Sequence, residues 1–427
     1  MRRSVGLDFG TTNSALGTVG DDGKVSLARF SHRAGVSDTF RSILYFHPEQ
    51  RDARGRLAPT GGARAIDRYL EADGSGRLVQ SLKSYLADRL FTSTNVFNKM
   101  HSLTELMTML LIDIRGRAEE QMGALGGRIV VGRPVHFTNA DTEEDDAFAE
   151  GRLVASLRAA GWDDVQFEFE PVAAAYYYEQ TLDHDELVLI ADFGGGTSDF
   201  SLIEVGPTKR GAGRRKILGN DGVGIAGDAL DSEILHHLVA PMLGMGTTYR
   251  SMFGVELPVP VWIYSKLRRW HHLSFLKTKK NIEMLTEILD QSDEPTKIAA
   301  LLHILDYDLG YHLYRAVERA KLELSTHKET RFLFEDGPVK IDQAITRDAF
   351  EGWIAPETTS MATCVDRLLA RAGVAAKDVD QVFMTGGTSF VPAVRRIFDE
   401  RFGASRIRAG GEMISVATGL ALRAQGD

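Results

Sequence analysis

The chain has 427 residues, the length of about two to four ordinary domains, and its 43% hydrophobic and 26% charged content is that of a globular protein. A formal net charge of −9 at pH 7 argues against non-specific nucleic-acid binding, which relies on a basic surface. Cys364 is the one cysteine, which excludes an intrachain disulfide and a cysteine metal cluster.

In chain order, "MRRSVGLDFG" opens with paired arginines but no apolar signal region, and no aliphatic stretch is long enough to cross a bilayer. A cytoplasmic protein without membrane or nucleic-acid partners is expected. "SVGL" leads into Asp8, Gly10 to Asn13 form a Gly/Thr turn, and "SALGTV" follows, so the segment reads as strand, turn, strand. Leu103, Leu106, Met107, Leu110, Leu111 and Ile114 recur at helical spacing, with the methionine as core filler. "GGRIVVGRPVHF" reads as a strand, "EGRLVASLRAAGW" as a helix, "VQFEFE" as a strand, and "PVAAAYYYEQTL" as a helix opened by Pro171. "EEDD" (143–146) is a solvated turn or helix start.

A near copy of the first turn then appears. "LVLIA" precedes Asp192, Gly194, Gly195, Gly196 and Thr197 form the turn, and Asp199 begins "FSLIEV". Helix does not follow, and neither turn carries the lysine of a P-loop, so neither is a Walker site. The repetition implies an internal duplication. "TKRGAGRRK" (208–216) reads as a solvated hairpin loop. "GVGIAG", ending at Gly227, satisfies G-x-G-x-x-G, but no strand with a terminal acid follows about 20 residues later, so it is an anion-binding turn at a helix start rather than a dinucleotide site. Residues 228 to 330 look almost wholly helical, a subdomain inserted into an otherwise alternating α/β chain. The pairs His236–His237 and His271–His272 lack zinc-ligand spacing.

Glycine turns let backbone N–H groups approach an anion, and threonine hydroxyls add donors. Carboxylates beside phosphates repel them unless a divalent cation intervenes, and Mg²⁺ prefers one or two carboxylates plus phosphate oxygens. Asp8, Asp192 and Asp199 are therefore expected around Mg²⁺, with the two turns gripping the phosphates of a nucleotide.

Here the residues become specific. "GLDFGTTNS" (6–14), "SLKSYL" (81–86), "GRPVHF" (132–137), "EPVAAAYYY" (170–178), "DFGGGTSDFS" (192–201), "ERAKLELS" (318–325), "VFMTGGTSFVP" (382–392) and "SVATGLAL" (415–422) resemble, in order, motifs of the seventy-kilodalton heat-shock chaperones, the DnaK-like family of the actin and sugar-kinase superfold. The length resembles that of short, YegD-type members with the nucleotide-binding domain and no peptide-binding domain. The resemblance implies a two-lobed actin-like ATPase fold of duplicated ribonuclease-H-like domains: lobe I at 1–186 with a returning helix at 412–427, and lobe II at 187–411 with a helical insert at about 228–316. It places the catalytic lysine at Lys83, an acid at Glu170, and water orientation at Asp199 or Glu170, with Thr197 positioning water. ATP or ADP with Mg²⁺ is the implied ligand. Gly10, Thr11, Thr12, Asn13, Gly194, Gly195, Gly196, Thr197 and Gly227 would meet its phosphates, Glu318, Lys321 and Ser325 its ribose and base, and Gly386, Gly387, Thr388 and Phe390 its adenosine.

Departures from the family pattern sharpen the expectation. Leu322 and Phe390 stand where two arginines sandwich the adenine, leaving base selectivity open. An acid usual near the closing helix is replaced around Met413. Arg152 is the nearest counterpart of the arginine that follows the proline strand. The resulting expectation is a slow Mg-ATPase whose nucleotide switches lobe closure to control a protein partner or client. A non-hydrolysing nucleotide-gated scaffold and a small-molecule kinase of the same superfold are the competing readings.

Overall fold

Alternate apolar residues make the first strand. Val5, Leu7 and Phe9 of β1, Arg3–Phe9, are fully buried in one core, and Gly6 and Asp8 lie on the opposite face. The computed structural model describes residues 3–33, 35–72, 75–210, 215–268, 273–411 and 414–426. β1 turns antiparallel into β2, Asn13–Val19, with Phe9 opposite Ser14, and β2 pairs onward with β3, Val25–Leu27. On its other side β1 runs parallel to β4, Leu125–Arg133, which runs parallel to β5, Asp164–Phe169. Parallel neighbours need a crossover, and helices supply it. α1, Leu103–Met122, precedes β4, and α2, Glu143–Ala159, precedes β5. The apolar stripe from Leu103 to Ile114 is buried throughout, Met107 included, each side chain contributing about 1.5–3 kcal/mol. A capping box between Ser102 and Glu105 fixes the start of α1. The acidic run at 143–146 is the first turn of α2, where Asp146 is buried rather than solvated because it accepts from the Phe137 amide at 2.8 Å. α3, Glu170–Glu179, begins directly after β5.

The second sheet repeats this plan. β6, Glu186–Phe193, turns antiparallel into β7, Ser198–Val205, and β7 pairs with β8, Lys216–Val223. Both glycine turns therefore join two strands, as the flanking β-branched residues require. α4, Gly227–Ile234, starts at the last glycine of "GVGIAG". The described chain forms two compact units, Met1–Gly227 with Ser360–Ser389 and Val394–Asp427, and Asp228–Thr359 with Phe390–Ala393. The second unit contains α5, Gly310–Thr326, and several shorter helices. It departs from the almost wholly helical reading of 228–330 at the hairpin of Thr248–Arg250 with Glu256–Pro258, and beyond that stretch it carries the hairpin of Glu329–Asp336 with Val339–Thr346. His271, His272, Met413 and residues 211–214 of the basic loop lie outside the described residues.

Two more strands complete the second sheet within the first unit. β9, Gln381–Thr385, is parallel to β6, and β10, Ile407–Ala409, is parallel to β9. The strand orders β5-β4-β1-β2-β3 and β10-β9-β6-β7-β8 then correspond strand for strand, direction included. α6, Ser415–Gln425, packs against α3 in a core that also holds Val130 of β4 and Val188, Ile190, Ile203 and Val205 of the second sheet. The two helices touch backbone to backbone: a Cβ on Gly419 would lie 1.7 Å from the Ala173 carbonyl oxygen.

Candidate functional site

Each central strand ends in a carboxylate followed by a glycine turn. Asp8 is the penultimate residue of β1 and Asp192 of β6. The register sets Asp192 directly opposite Asp199, a like-charged pair that destabilises the sheet unless something between them is positive. In the first turn a Cβ on Gly10 would lie 2.0 Å from the Asn13 carbonyl oxygen, so only glycine fits. The Ser42 amide donates to the Thr12 carbonyl at 2.9 Å, and Arg41 donates to Asn13 Oδ1 at 3.2 Å. In the second turn the Gly194 amide donates to the Thr197 carbonyl at 2.9 Å. Among the described residues the amides of Thr11, Thr12, Gly195 and Gly196 have no protein acceptor. They are donors left over for an anion.

Lys83 arrives on a 3₁₀ turn, Leu82–Tyr85, whose preceding residue Ser81 is held in the left-handed region at φ 54°. Such a conformation costs about 1–3 kcal/mol and persists because neighbours impose it. Arg152 is one of them. Its guanidinium donates to the carbonyls of Tyr85 (3.1 Å), Leu86 (3.1 Å), Asp88 (3.0 Å) and Phe91 (2.7 Å), so it anchors the chain around Lys83. Lys83 Nζ forms a buried ion pair with Glu170 Oε1, from the first residue of α3. Asp199 Oδ1 accepts from the Val135 amide at 2.7 Å, tying β7 to the segment that leaves β4.

The charges do not balance. Three buried carboxylates, Glu170, Asp192 and Asp199, and the half-buried Asp8 stand around Lys83, the one buried lysine among the described residues. Burial, with Glu170 adding to it, pushes the Asp8 carboxyl up to about 7 against the pull of Lys83. Asp199 is likewise raised to about 7, first by burial and then by Glu170, although the Thr197 hydroxyl and the Val135 amide hold it down. Asp192 stands well above the carboxylate range, through burial and then Glu170, Asp8 and Asp199. Burial lowers the Lys83 ammonium, but Glu170 and Asp8 outweigh it and the net shift is upward. Arg133 adds a second cation, yet it is engaged by Glu150 and Asp146 and by the carbonyls of Pro134 and Val135. Among the described residues no three Asp, Glu, His or Cys side chains are placed to ligate one ion directly. The donor set suits Mg²⁺, which takes one or two carboxylates and completes its shell with water and phosphate oxygens.

Comparison with known sequences places this arrangement. The Hsp70 protein family model matches residues 76–244 and 306–425, well over half of the chain. The chain belongs to the Hsp70 family. It is 24% identical to the chaperone protein DnaK of Thermosipho melanesiensis over 430 residues, with 98% of this chain and 58% of that protein aligned. The DnaK chaperones of Thermosipho africanus and Thermus thermophilus are each 23% identical, with 58% and 61% of their lengths covered. The chain thus spans about three fifths of the length of these curated relatives. Its duplicated α/β sheets are the actin-like ATPase fold of the Hsp70 family.

The remaining Hsp70 positions fall in two sets. In the first unit Gly386, at φ 86°, brings the turn after β9 against Phe193, where a Cβ would lie 2.0 Å from the Phe193 carbonyl oxygen. Gly387 and Thr388 continue that turn. In the second unit Lys321 pairs with buried Asp231 at 2.8 Å, Glu318 accepts from Arg315 at 2.9 Å, and the Ser325 hydroxyl returns to the Lys321 carbonyl at 3.0 Å. Leu322 and Phe390 are 64% and 50% exposed, a large apolar surface at both positions. The sequence analysis did not single out Arg133, although it directly precedes Pro134 in "GRPVHF". No helix of the described residues is long and apolar enough to cross a membrane.

Proposed function

We propose that this Hsp70-family chain binds ATP with Mg²⁺ and hydrolyses it slowly, the bound nucleotide setting lobe closure and through it the hold on a protein partner or client. The supporting observation is the surplus of carboxylate beside donor-rich turns: three buried acids and the half-buried Asp8 against Lys83, next to amides with no protein acceptor. A buried excess of negative charge is unfavourable unless protons or a cation complete it, and the amides without protein acceptors are open to an anion. A magnesium–triphosphate complex supplies both.

Phosphoryl transfer to water depends on positioning and on neutralising charge at the terminal phosphate. Lys83, fixed by Glu170, supplies positive charge there. Asp199 is held by the Val135 amide and the Thr197 hydroxyl, so its carboxylate is fixed to orient the attacking water, while Glu170 is committed to Lys83. Thr11, Thr12, Asn13 and the amides of Gly195 and Gly196 would donate to phosphate oxygens, with Gly194, Thr197 and Gly227 shaping the turns around them. Asp8, Asp192 and Asp199 would hold the magnesium ion largely through its water shell, and the ion would supply charge neutralisation on the phosphates. Glu318, Lys321 and Ser325 are assigned to the ribose and base, and Gly386, Gly387, Thr388 and Phe390 to the adenosine.

Calorimetric titration with ATP, ADP and GTP, each with and without Mg²⁺, tests the reading. Saturable heat that needs Mg²⁺ supports it, and the ATP-to-GTP ratio reports what Leu322 and Phe390 do to base selectivity. No heat with any of the three overturns it.

A further inference from the structure

Gly196 has an ordinary backbone, so its lack of a side chain answers to its surroundings. A Cβ built on it would lie 2.8 Å from Thr138 Oγ1, 3.7 Å from Ser84 Oγ and 3.7 Å from Thr11 Oγ1. Three hydroxyls from three distant segments therefore gather over the second glycine turn: Thr11 from the first turn, Ser84 from the Lys83 turn, and Thr138 from the segment after β4. None of the three makes a hydrogen bond among the described residues. Nearby hydroxyls behave differently. Ser14 and Ser42 bond each other at 2.9 Å, Ser198 donates to the Ile225 carbonyl at 2.6 Å, and Ser389 to the Gly386 carbonyl at 2.6 Å. Folding satisfies those groups and leaves this trio over, although Thr11 is buried and Ser84 and Thr138 are half-buried.

The oxygens of Thr11, Ser84 and Thr138 are not sealed from solvent, so all three hydroxyls are open to a ligand. A ligand that meets all three can take a hydrogen bond from each hydroxyl, and the cationic Lys83, the residue before Ser84, favours an anionic acceptor there. The Gly195 and Gly196 amides add donors to the same place.

Resting on the nucleotide reading above, we propose that Ser84 and Thr138 are binding residues for the terminal phosphate of the triphosphate, completing with Thr11 a hydroxyl collar over Gly196. The collar distinguishes ATP from ADP, because its donors stand beside Lys83 and have no acceptor once the terminal phosphate has gone. Lys83 neutralises that group and the collar fixes its orientation.

The test is titration of the full chain with ATP and with ADP in Mg²⁺, comparing the unaltered protein with Ser84→Ala, Thr138→Val and the double variant, and with Thr138→Ser as the hydroxyl-retaining control. The expected result is a roughly tenfold loss of ATP affinity in each single variant, more in the double, with ADP affinity unchanged and Thr138→Ser near the unaltered value. Equal losses for ATP and ADP, or no loss for either, overturn the collar while leaving nucleotide binding in place. If Thr138→Val fails to fold, Ser84→Ala decides alone by the same ratio. Failure of the unaltered protein to bind either nucleotide overturns the nucleotide reading and the collar with it.

Discussion

Lys83 and the acids around it carry opposite consequences for binding and for turnover. Phosphate binding rests on many donors, whereas positive charge at the reacting phosphate rests on Lys83. Lys83→Ala is therefore expected to retain ATP binding in Mg²⁺ and to abolish hydrolysis, read by calorimetry and by phosphate release; unchanged turnover would remove the lysine from its role. The acids set a pH dependence of known sign. Asp8 and Asp199 stand at about 7 in the folded protein against an ordinary value of 3.8, so between those values the folded state holds protons that the unfolded chain has released. Stability of the metal-free, nucleotide-free protein should fall as pH rises across that window and stay low above it. Mg²⁺ with nucleotide replaces the protons and should flatten the profile, measured as urea midpoints from pH 5 to 8. A metal-free protein that gains stability over that range would contradict the charge imbalance.

Helix packing sets the next scale. α6 crosses β1 and α3 where side chains have been removed: a Cβ on Gly6 would meet the Ala421 amide nitrogen at 2.2 Å, and one on Gly419 would meet the Ala173 carbonyl oxygen at 1.7 Å. Gly419→Ala should destabilise the protein by about 1–3 kcal/mol, by overpacking against backbone that cannot rotate away. Gly116 on α1 provides the contrast, since nothing lies within 4 Å of a Cβ there. Gly116→Ala should stabilise by up to about 1 kcal/mol through helix propensity alone. Chemical denaturation with an unchanged m-value checks both, and a Gly419→Ala variant as stable as the parent would deny the close crossing. Elements of this kind were legible where their period was strong, as in the α1 stripe. The hairpin at 248–258 was not, because its strands are three residues each and carry too few side chains to show a period.

At the scale of the whole molecule, ligand binding and folding are linked. Mg²⁺–ATP at about 100 times its Kd should add about 2.7 kcal/mol of stability, seen as a melting temperature that climbs with nucleotide concentration. A melting temperature indifferent to nucleotide would argue that the folded state has no such site. The duplicated plan, the strand–turn–strand character of both glycine loops and the candidate acids Asp8, Asp192 and Asp199 were all readable from residue order. Alternation, turn chemistry and the pairing of glycine with carboxylate are properties of neighbours in the chain. Other features came only from tertiary structure: Asp192 facing Asp199 in register, Arg152 clasping the chain around Lys83, Arg133 wedged among acids, and Thr11, Ser84 and Thr138 gathered over Gly196. Each depends on how parallel crossovers return distant segments to adjacent strand ends. Sequence spacing carries no record of that distance, so chain order alone could name the acids and the lysine but not the company they keep.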